Sequence, residues 1–512
     1  MIYMEKKIAV IDIGSNTIRL VIYRIKAAGG IKQIENMKVS ARLQNHLDDR
    51  QFLSPEGIHI LLEALRVFRE IISLHKAASV KVFATAAIRK AKNRQEIKQK
   101  VKREIGLTIN VLSGQKEAYF GFLGIIQSTN LDEGITIDIG GGSTEITRFL
   151  HKKIVNSHSF PFGALSLKKE FIKGQLPEAD ELRELSSFLY RNFQEVEWLS
   201  NCRLPIIGIG GNARNVGTIE QAMKNYPLGS VHLYEMGLKD ILNVKEKLGS
   251  LPFQDLKGVE GLSRERADII LPALEVFLSL YRSASAPFFQ LSQKGIRDGI
   301  IIDALNRKNH KQDQLDPVDQ SLHELAADYD MNVGKKELIV TTAAKLFGLF
   351  RKEGIADVSD GDLQDLKRAG YVYNLGEFID SESVSQHTFY LLLNRNIDGL
   401  PHRERIKIAL LASYHSKASF KQNMKPFKEW FSEQDRQKMK FLGSLLKFSS
   451  AVNCTGRSIF RDIQLYMRND EVHLELYCNG SWLVEQQEAE KHMKHLENAL
   501  GKNISLKFSM QN

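Results

Sequence analysis

The chain carries one pattern twice. Near the N-terminus an apolar run ends in Asp12-Ile-Gly14-Ser15-Asn16-Thr17 and continues as Ile18-Arg19-Leu20-Val21-Ile22-Tyr23. Farther on, Ile135-Thr136-Ile137 leads into Asp138-Ile-Gly140-Gly141-Gly142-Ser143-Thr144-Glu145-Ile146. Each copy reads as a strand, an aspartate, a tight turn of small residues and a second strand-like run. Glycine in a turn admits positive φ and removes side-chain bulk, so backbone N–H groups can converge on an anion. A carboxylate ending a buried strand is costly unless it is paired or faces a cation. One copy alone could also be an ordinary β-hairpin. Three successive glycines serve no packing purpose, and two copies in order predict facing loops around a cleft for phosphate and a divalent metal.

Facing loops of this kind resemble the acetate kinase, actin and Hsp70 superfamily. The expected fold class is α/β, with duplicated ribonuclease H-like domains of actin/Hsp70 type over residues 1–127 and 128–305. The first alternates strands and helices, with helices at Leu61–Leu74 and Gln95–Ile105 and strands at Val80–Ala84 and Thr108–Leu112. The second holds another Gly-rich turn, Gly208-Ile-Gly210-Gly211-Asn212, and closes on a helix at Ile300–Leu305. A polar stretch, Arg307–Pro317, reads as a linker. Residues 306–450 are mostly helical by periodicity, and residues 451–512 read as a small α+β unit.

The length of 512 residues allows three or four domains, and 43% hydrophobic with 26% charged residues is ordinary for a globular chain. No apolar run approaches the ~18 residues that span a bilayer. Met1–Lys7 leaves no room for a signal peptide ahead of the first strand. Cys202, Cys454 and Cys478 lack metal-ligand spacing and are too few for a disulfide framework, which fits a reducing cytoplasm. The net charge of +10 favours an anionic partner. From His402 to Lys447 there are eleven Lys/Arg against four Asp/Glu, so this segment reads either as a solvated face or as a track for a polyanion.

Five blocks in order resemble the exopolyphosphatase and guanosine pentaphosphate phosphohydrolase family over residues 7–305. They are Asp12-Ile-Gly-Ser-Asn16, Ala84-Thr85-Ala-Ala-Ile-Arg89, Ser113-Gly114-Gln-Lys-Glu117-Ala118, Asp138-Ile-Gly-Gly-Gly-Ser-Thr-Glu145 and Ser292-x-x-Gly-Ile-Arg-Asp-Gly299. The resemblance implies that Glu117 activates water. A glutamate on a loop just past a strand end, opposite a phosphate turn, could take that proton; the bland alternative is that it caps a helix starting near Ala118. Asp138, Asp12 and Glu145 are implied at a Mg2+ site, with phosphate oxygens and water completing the shell. Gly14, Ser15, Asn16, Gly141, Gly142, Ser143 and Thr144 would donate to the terminal phosphate. Arg89 would clamp transition-state charge. Gly210, Gly211 and Arg266 would contact phosphates farther along. Lys116 stands where relatives often carry a second acid.

The helical region resembles a worn-down HD phosphohydrolase unit, with Lys335, Tyr373-Asn374 and His387 at the positions of its metal ligands. Tyrosine and asparagine are poor substitutes for His and Asp, so this unit is expected to be metal-free. His387 and His415 read as structural. The expected activity is Mg2+-dependent release of terminal phosphate from inorganic polyphosphate; guanosine pentaphosphate remains an open alternative, since both are polyanions ending in a phosphoanhydride. Readings of another kind are a non-catalytic nucleotide or polyphosphate sensor and a polyphosphate–ADP phosphotransferase. A homodimer is expected, with neither membrane nor nucleic acid as partner.

Overall fold

The structure is a computed structural model and describes residues 6–26, 30–306 and 316–510. Most of the Met1–Lys7 segment and of the Arg307–Pro317 linker lies outside the described residues. Two compact units result: one of residues up to 226 and 231–314, the other of 227–230 with 315–512.

The first unit repeats one sheet. β1 (Lys6–Ile13), β2 (Thr17–Ile25), β3 (Ile31–Ser40), β4 (Ser79–Ala84) and β5 (Ile109–Val111) are ordered β3-β2-β1-β4-β5. β6 (Gly134–Ile139), β7 (Thr144–Leu150), β8 (Lys153–Phe160), β9 (Ile206–Ile209), β10 (Glu235–Met236) and β11 (Phe289–Leu291) are ordered β10-β11-β9-β6-β7-β8. Both halves are an antiparallel three-strand meander whose first strand pairs in parallel with a later one. The duplicated α/β fold is therefore as expected. Each phosphate turn joins the first two strands of its sheet, so the hairpin and phosphate-loop readings describe the same object.

Strand and helix patterns explain the cores. The helix Pro55–Leu74 starts earlier than its periodicity indicated, because Ser54 caps it by accepting the Gly57 N–H at 3.2 Å and Pro55 occupies its first turn. It lays Leu61, Leu65 and Phe68 on the first sheet. Two helices connect the halves. Gly114–Ile126 sets Phe122 and Ile125 against Phe149 and Ile207 of the second sheet. Ile296–Asn306 sets Ile301 against Ile8, Val10 and Val21 of the first. They approach through glycine: a Cβ on Gly124 would lie 2.3 Å from the Gly295 carbonyl oxygen, and one on Gly299 would lie 1.9 Å from that of Phe120. This contact fixes the second half of the first helix against the start of the other.

The second unit holds helices Pro317–Asp328, Val333–Lys352, Asp360–Tyr371, Val384–Asn394, His402–Ala412, Lys417–Met424 and Glu433–Val452. A sheet follows, in which β12 (Phe460–Arg468) pairs antiparallel with β13 (Glu471–Cys478), and β13 pairs in parallel with β14 (Ile504–Met510). The crossover is the helix Leu483–Leu500. Tyr373 is buried and donates its hydroxyl to the Tyr414 carbonyl at 3.1 Å. Asn374 has φ 57 and donates to Glu377 Oε1 at 3.1 Å. Among the described residues no helix is long and apolar enough to cross a membrane.

Candidate active site

The two turns are built alike. The Gly14 N–H donates to the Thr17 carbonyl at 3.0 Å, and the Gly140 N–H to the Ser143 carbonyl at 2.9 Å. The amide of Gly14, expected to hold phosphate, is thus used in closing its own turn. The segment after each meander folds back on its loop. Ala41 and Arg42 donate their N–H groups to the Asn16 carbonyl, and Leu165 and Ser166 donate theirs to the Gly141 carbonyl. With those carbonyls turned away, the amides of Ser15, Asn16 and Gly141 have no backbone acceptor among the described residues.

The loops face each other closely: a Cβ on Gly141 would lie 2.8 Å from the Ser15 Cβ. Between them and the third turn lies a cavity of about 140 Å³ that Gly14, Ser15, Asn16, Gly141, Ser143, Gly210 and Gly211 help to line. Two expected phosphate ligands stand aside. Gly142 packs under Gln44, where a Cβ would be 2.4 Å from Oε1. Thr144 is buried and donates its hydroxyl to the Phe162 carbonyl at 2.8 Å, because it is the first residue of β7 and points into the core.

Glu117 lies in the first turn of the helix Gly114–Ile126 and not on a loop. It does not cap that helix; Ser113 does, accepting the Lys116 N–H at 3.3 Å. The Lys116 side chain is exposed. Arg89, in the short helix Ala86–Lys90, donates from Nη1 to Glu117 Oε2 at 2.5 Å and to the Leu112 carbonyl at 3.0 Å. Its Nη2 donates to Ser143 Oγ at 3.4 Å and lies 3.8 Å from Glu145 Oε1. Glu145 also accepts the Ser159 hydroxyl at 3.0 Å. Burial pushes Glu117 up to about 7, against the pull of Arg89. Burial and then the Glu117 charge push Glu145 well above the usual carboxylate range. Two carboxyl groups driven apart in this way can divide roles, one protonated and one ionised near neutrality.

The other wall is basic. Arg19, Arg214, Arg266 and Arg297 all line the cavity. Burial, then Arg297 and Arg214, pull Arg19 down to about 10; burial, then Arg297 and Arg266, do the same to Arg214. Arg297 donates to Asp12 Oδ2 at 2.9 Å, and Arg214 Nε to the Gly210 carbonyl at 3.0 Å. Gly210 and Gly211 open the helix Gly210–Met223 and make room: a Cβ on Gly210, whose φ is +84, would lie 2.6 Å from Asp138 Oδ1, and one on Gly211 would overlap the Arg266 guanidinium. Arg266 Nε has no partner among the described residues.

Sequence reasoning gave no role to Arg19, Arg214 or Arg297. A pattern for the first was present. Arg19 stands seven residues after Asp12, as Glu145 stands seven after Asp138, and each pairs across its hairpin with that aspartate. Equivalent positions of the two halves thus carry opposite charges.

Asp12 and Asp138 share the cavity. Burial and then the Asp12 charge push Asp138 up to about 6. Two carboxylates lining one cavity fit a divalent cation, although the Arg297 contact already satisfies part of Asp12. Among the described residues no group of three carboxylate, His or Cys ligands forms a complete metal cage.

A duplicated α/β fold around facing anion loops, a buried glutamate and an arginine wall defines a phosphate-processing cleft. The pattern of the Ppx/GppA phosphatase family matches residues 21–308, and that of Ppx/GppA phosphatase, domain III, matches residues 319–496. The chain belongs to the Ppx/GppA phosphatase family, whose members hydrolyse phosphoanhydride bonds. It is 24% identical over 425 residues to a guanosine-5'-triphosphate,3'-diphosphate pyrophosphatase of Pseudoalteromonas atlantica, covering 80% of each chain. A solved Ppx/GppA family member of Aquifex aeolicus is 27% identical, with TM-score 0.53 over 60% of this chain and 99% of that one. An exopolyphosphatase of Cytophaga hutchinsonii, 22% identical with TM-score 0.55 over 59% of this chain and 98% of that one, shares the fold.

Proposed function

We propose that the chain is an exopolyphosphatase that removes the terminal phosphate of inorganic polyphosphate with Mg2+. The observation that carries this reading is the arginine wall. Four guanidinium groups line one cavity, and Arg297 pulls down both Arg19 and Arg214; such a cluster suits several negative charges at close range, more than one phosphate supplies. Among the described residues none lining the cavity is aromatic, so they offer no ring to stack a nucleobase, and a bare phosphate chain suits the wall. Guanosine pentaphosphate is the second reading, favoured by the name of the P. atlantica relative.

In the proposed reaction the terminal phosphate sits at the amides of Ser15, Asn16 and Gly141. Glu117 accepts the proton of a water aimed at phosphorus as the anhydride bond to the remaining chain breaks. Arg89, already reaching Ser143, Glu145 and Glu117, moves its donors onto the phosphoryl oxygens, and the wall of Arg19, Arg214, Arg266 and Arg297 holds the departing chain. Asp138 and Asp12 would hold Mg2+, which would neutralise charge on the phosphates, with phosphate oxygens and water as its remaining ligands.

The test is phosphate release from long polyphosphate beside guanosine pentaphosphate, each with Mg2+ and with EDTA. Faster release from polyphosphate, abolished by EDTA, is expected. Preference for guanosine pentaphosphate selects the second reading. ATP formed from polyphosphate and ADP would make the chain a phosphotransferase, and binding without turnover would make it a sensor.

A further inference from the structure

We infer that Arg42 is a positioning residue that ties the first phosphate loop to the turn carrying Arg266, and so sets the width of the anion-binding cleft. The inference rests on that cleft being the substrate site. Arg42 follows β3 with φ 45, and its backbone N–H donates to the Asn16 carbonyl at 2.9 Å. Its side chain crosses to the other half. Nη1 donates to Asp268 Oδ2 at 2.9 Å, and Nη2 to Asp268 Oδ1 at 3.1 Å and to the Glu265 carbonyl at 3.0 Å. One residue therefore grips the loop with its main chain and the opposite wall with its guanidinium.

Arg266 lies between the two residues that Arg42 grips. The turn is stiff: the Arg266 N–H donates to the Ser263 carbonyl at 2.8 Å, and the Ile269 N–H to the Arg266 carbonyl at 3.0 Å. Its own half pins the entry, where the Ser263 N–H donates to Asn215 Oδ1 at 2.9 Å and Thr218 Oγ1 donates to the Gly261 carbonyl at 2.6 Å. Within its own half Lys168 also donates to Asp268, at 2.9 Å. From the other half Lys38 pairs with Glu265, beside Arg42.

An exposed ion pair of this kind usually contributes little. This one is two-pronged, and Asp268 keeps only 10% of its side chain exposed. A forked guanidinium fixes direction as well as distance, which a lysine cannot do. Arg42 touches neither Glu117 nor Arg89, so its loss should weaken the hold on the phosphate chain and leave the bond-breaking step alone.

The test is Arg42→Ala. With long polyphosphate, or guanosine pentaphosphate if that is the faster substrate, KM should rise about tenfold and kcat should stay within about twofold, the signature of lost binding without lost transition-state stabilisation. Arg42→Lys should fall between, and Arg42→Asp combined with Asp268→Arg should recover part of the loss. Amide hydrogen exchange should quicken at residues 14–17 and 263–269 together in Arg42→Ala. That readout needs no turnover, so it tests the tie even if neither substrate is hydrolysed and the proposed function fails. Unchanged exchange in the turn, or kcat falling while KM stays put, would overturn the inference. Should Arg42→Ala not fold, Asp268→Asn takes its place with the same two outcomes.

Discussion

Glu117→Gln should make the protein inactive and more stable at once. The substitution keeps the size of the side chain and removes its basicity. Losing a general base lowers turnover by about two to four orders of magnitude. The folded protein raises the Glu117 pKa from 4.5 to about 7. At 1.36 kcal/mol per unit, the ionised form costs the fold roughly 3 kcal/mol. A carboxyl raised by folding leaves stability intact below its unfolded value and diminishes it as pH climbs through the folded one. Glutamine carries no charge at any pH. The variant should therefore melt a few degrees above the wild type at pH 8, and the two should converge at pH 4, where both side chains are neutral. The acid limb of wild-type kcat/KM should fall about tenfold per pH unit below 7, because only the carboxylate accepts a proton. Arg89→Ala should move that limb to higher pH, since Arg89 is what pulls the Glu117 pKa down. Phosphate release and circular-dichroism melting at both pH values check this. Full activity in Glu117→Gln, or a lower melting point than wild type at pH 8, would refute the assignment.

Asp138→Asn should weaken activity and Mg2+ dependence together, and a normal Mg2+ titration in that variant would move the metal site elsewhere. Tyr373→Ala and Asn374→Ala should leave hydrolysis intact, with no stoichiometric transition metal in the purified protein; a metal that disappears with Asn374→Ala would restore an HD-type site. In the basic segment, Arg403, Lys407, Arg436 and Lys438 are paired with carboxylates, and Arg405 and Lys447 are buried. Lys417 and Lys421 are exposed. Lys417→Ala with Lys421→Ala should raise KM for long polyphosphate and spare short chains, and added salt should mimic the change, as expected where cations are displaced from a polyanion; equal loss on both lengths would discard the track.

Legibility followed the distance over which the physics acts. The hairpin turns, the glutamate block and the amphipathic helices were readable because period, glycine and capping residues are local. Within the helical region, the helix Asp360–Tyr371 has its start marked in sequence by the capping box of Ser359 and Asp362. Thr144 was misassigned because a one-residue step along a strand turns a side chain from cleft to core. The basic wall was least legible. Arg214 stands one helical turn past Gly210, and Arg297 reaches Asp12 across 285 positions. Arg214 stands two residues past the third Gly-rich turn and Arg297 inside the fifth block, but neither pattern says which cavity the side chain faces. The same holds for Arg42, whose guanidinium finds partners more than two hundred positions away.

The comparison of Arg19 with Glu145 explains why a duplicated fold can work as an asymmetric site. The two hairpins share their aspartate, their turn closure and their register. Had both halves kept an acid at this position, the cleft would hold four buried carboxylates with Asp12 and Asp138, and Glu117 would add a fifth. Their mutual repulsion would favour protonation and exclude a phosphate chain. Had both kept arginine, the anion would bind, but Glu117 would lose the neighbouring acid that, with burial, separates the two protonation states. One substitution at the equivalent strand position resolves the conflict. Glu145 of the second half meets Glu117 and Arg89 of the first where the bond would break, and Arg19 of the first half meets Arg214, Arg266 and Arg297 of the second where negative charge would be held.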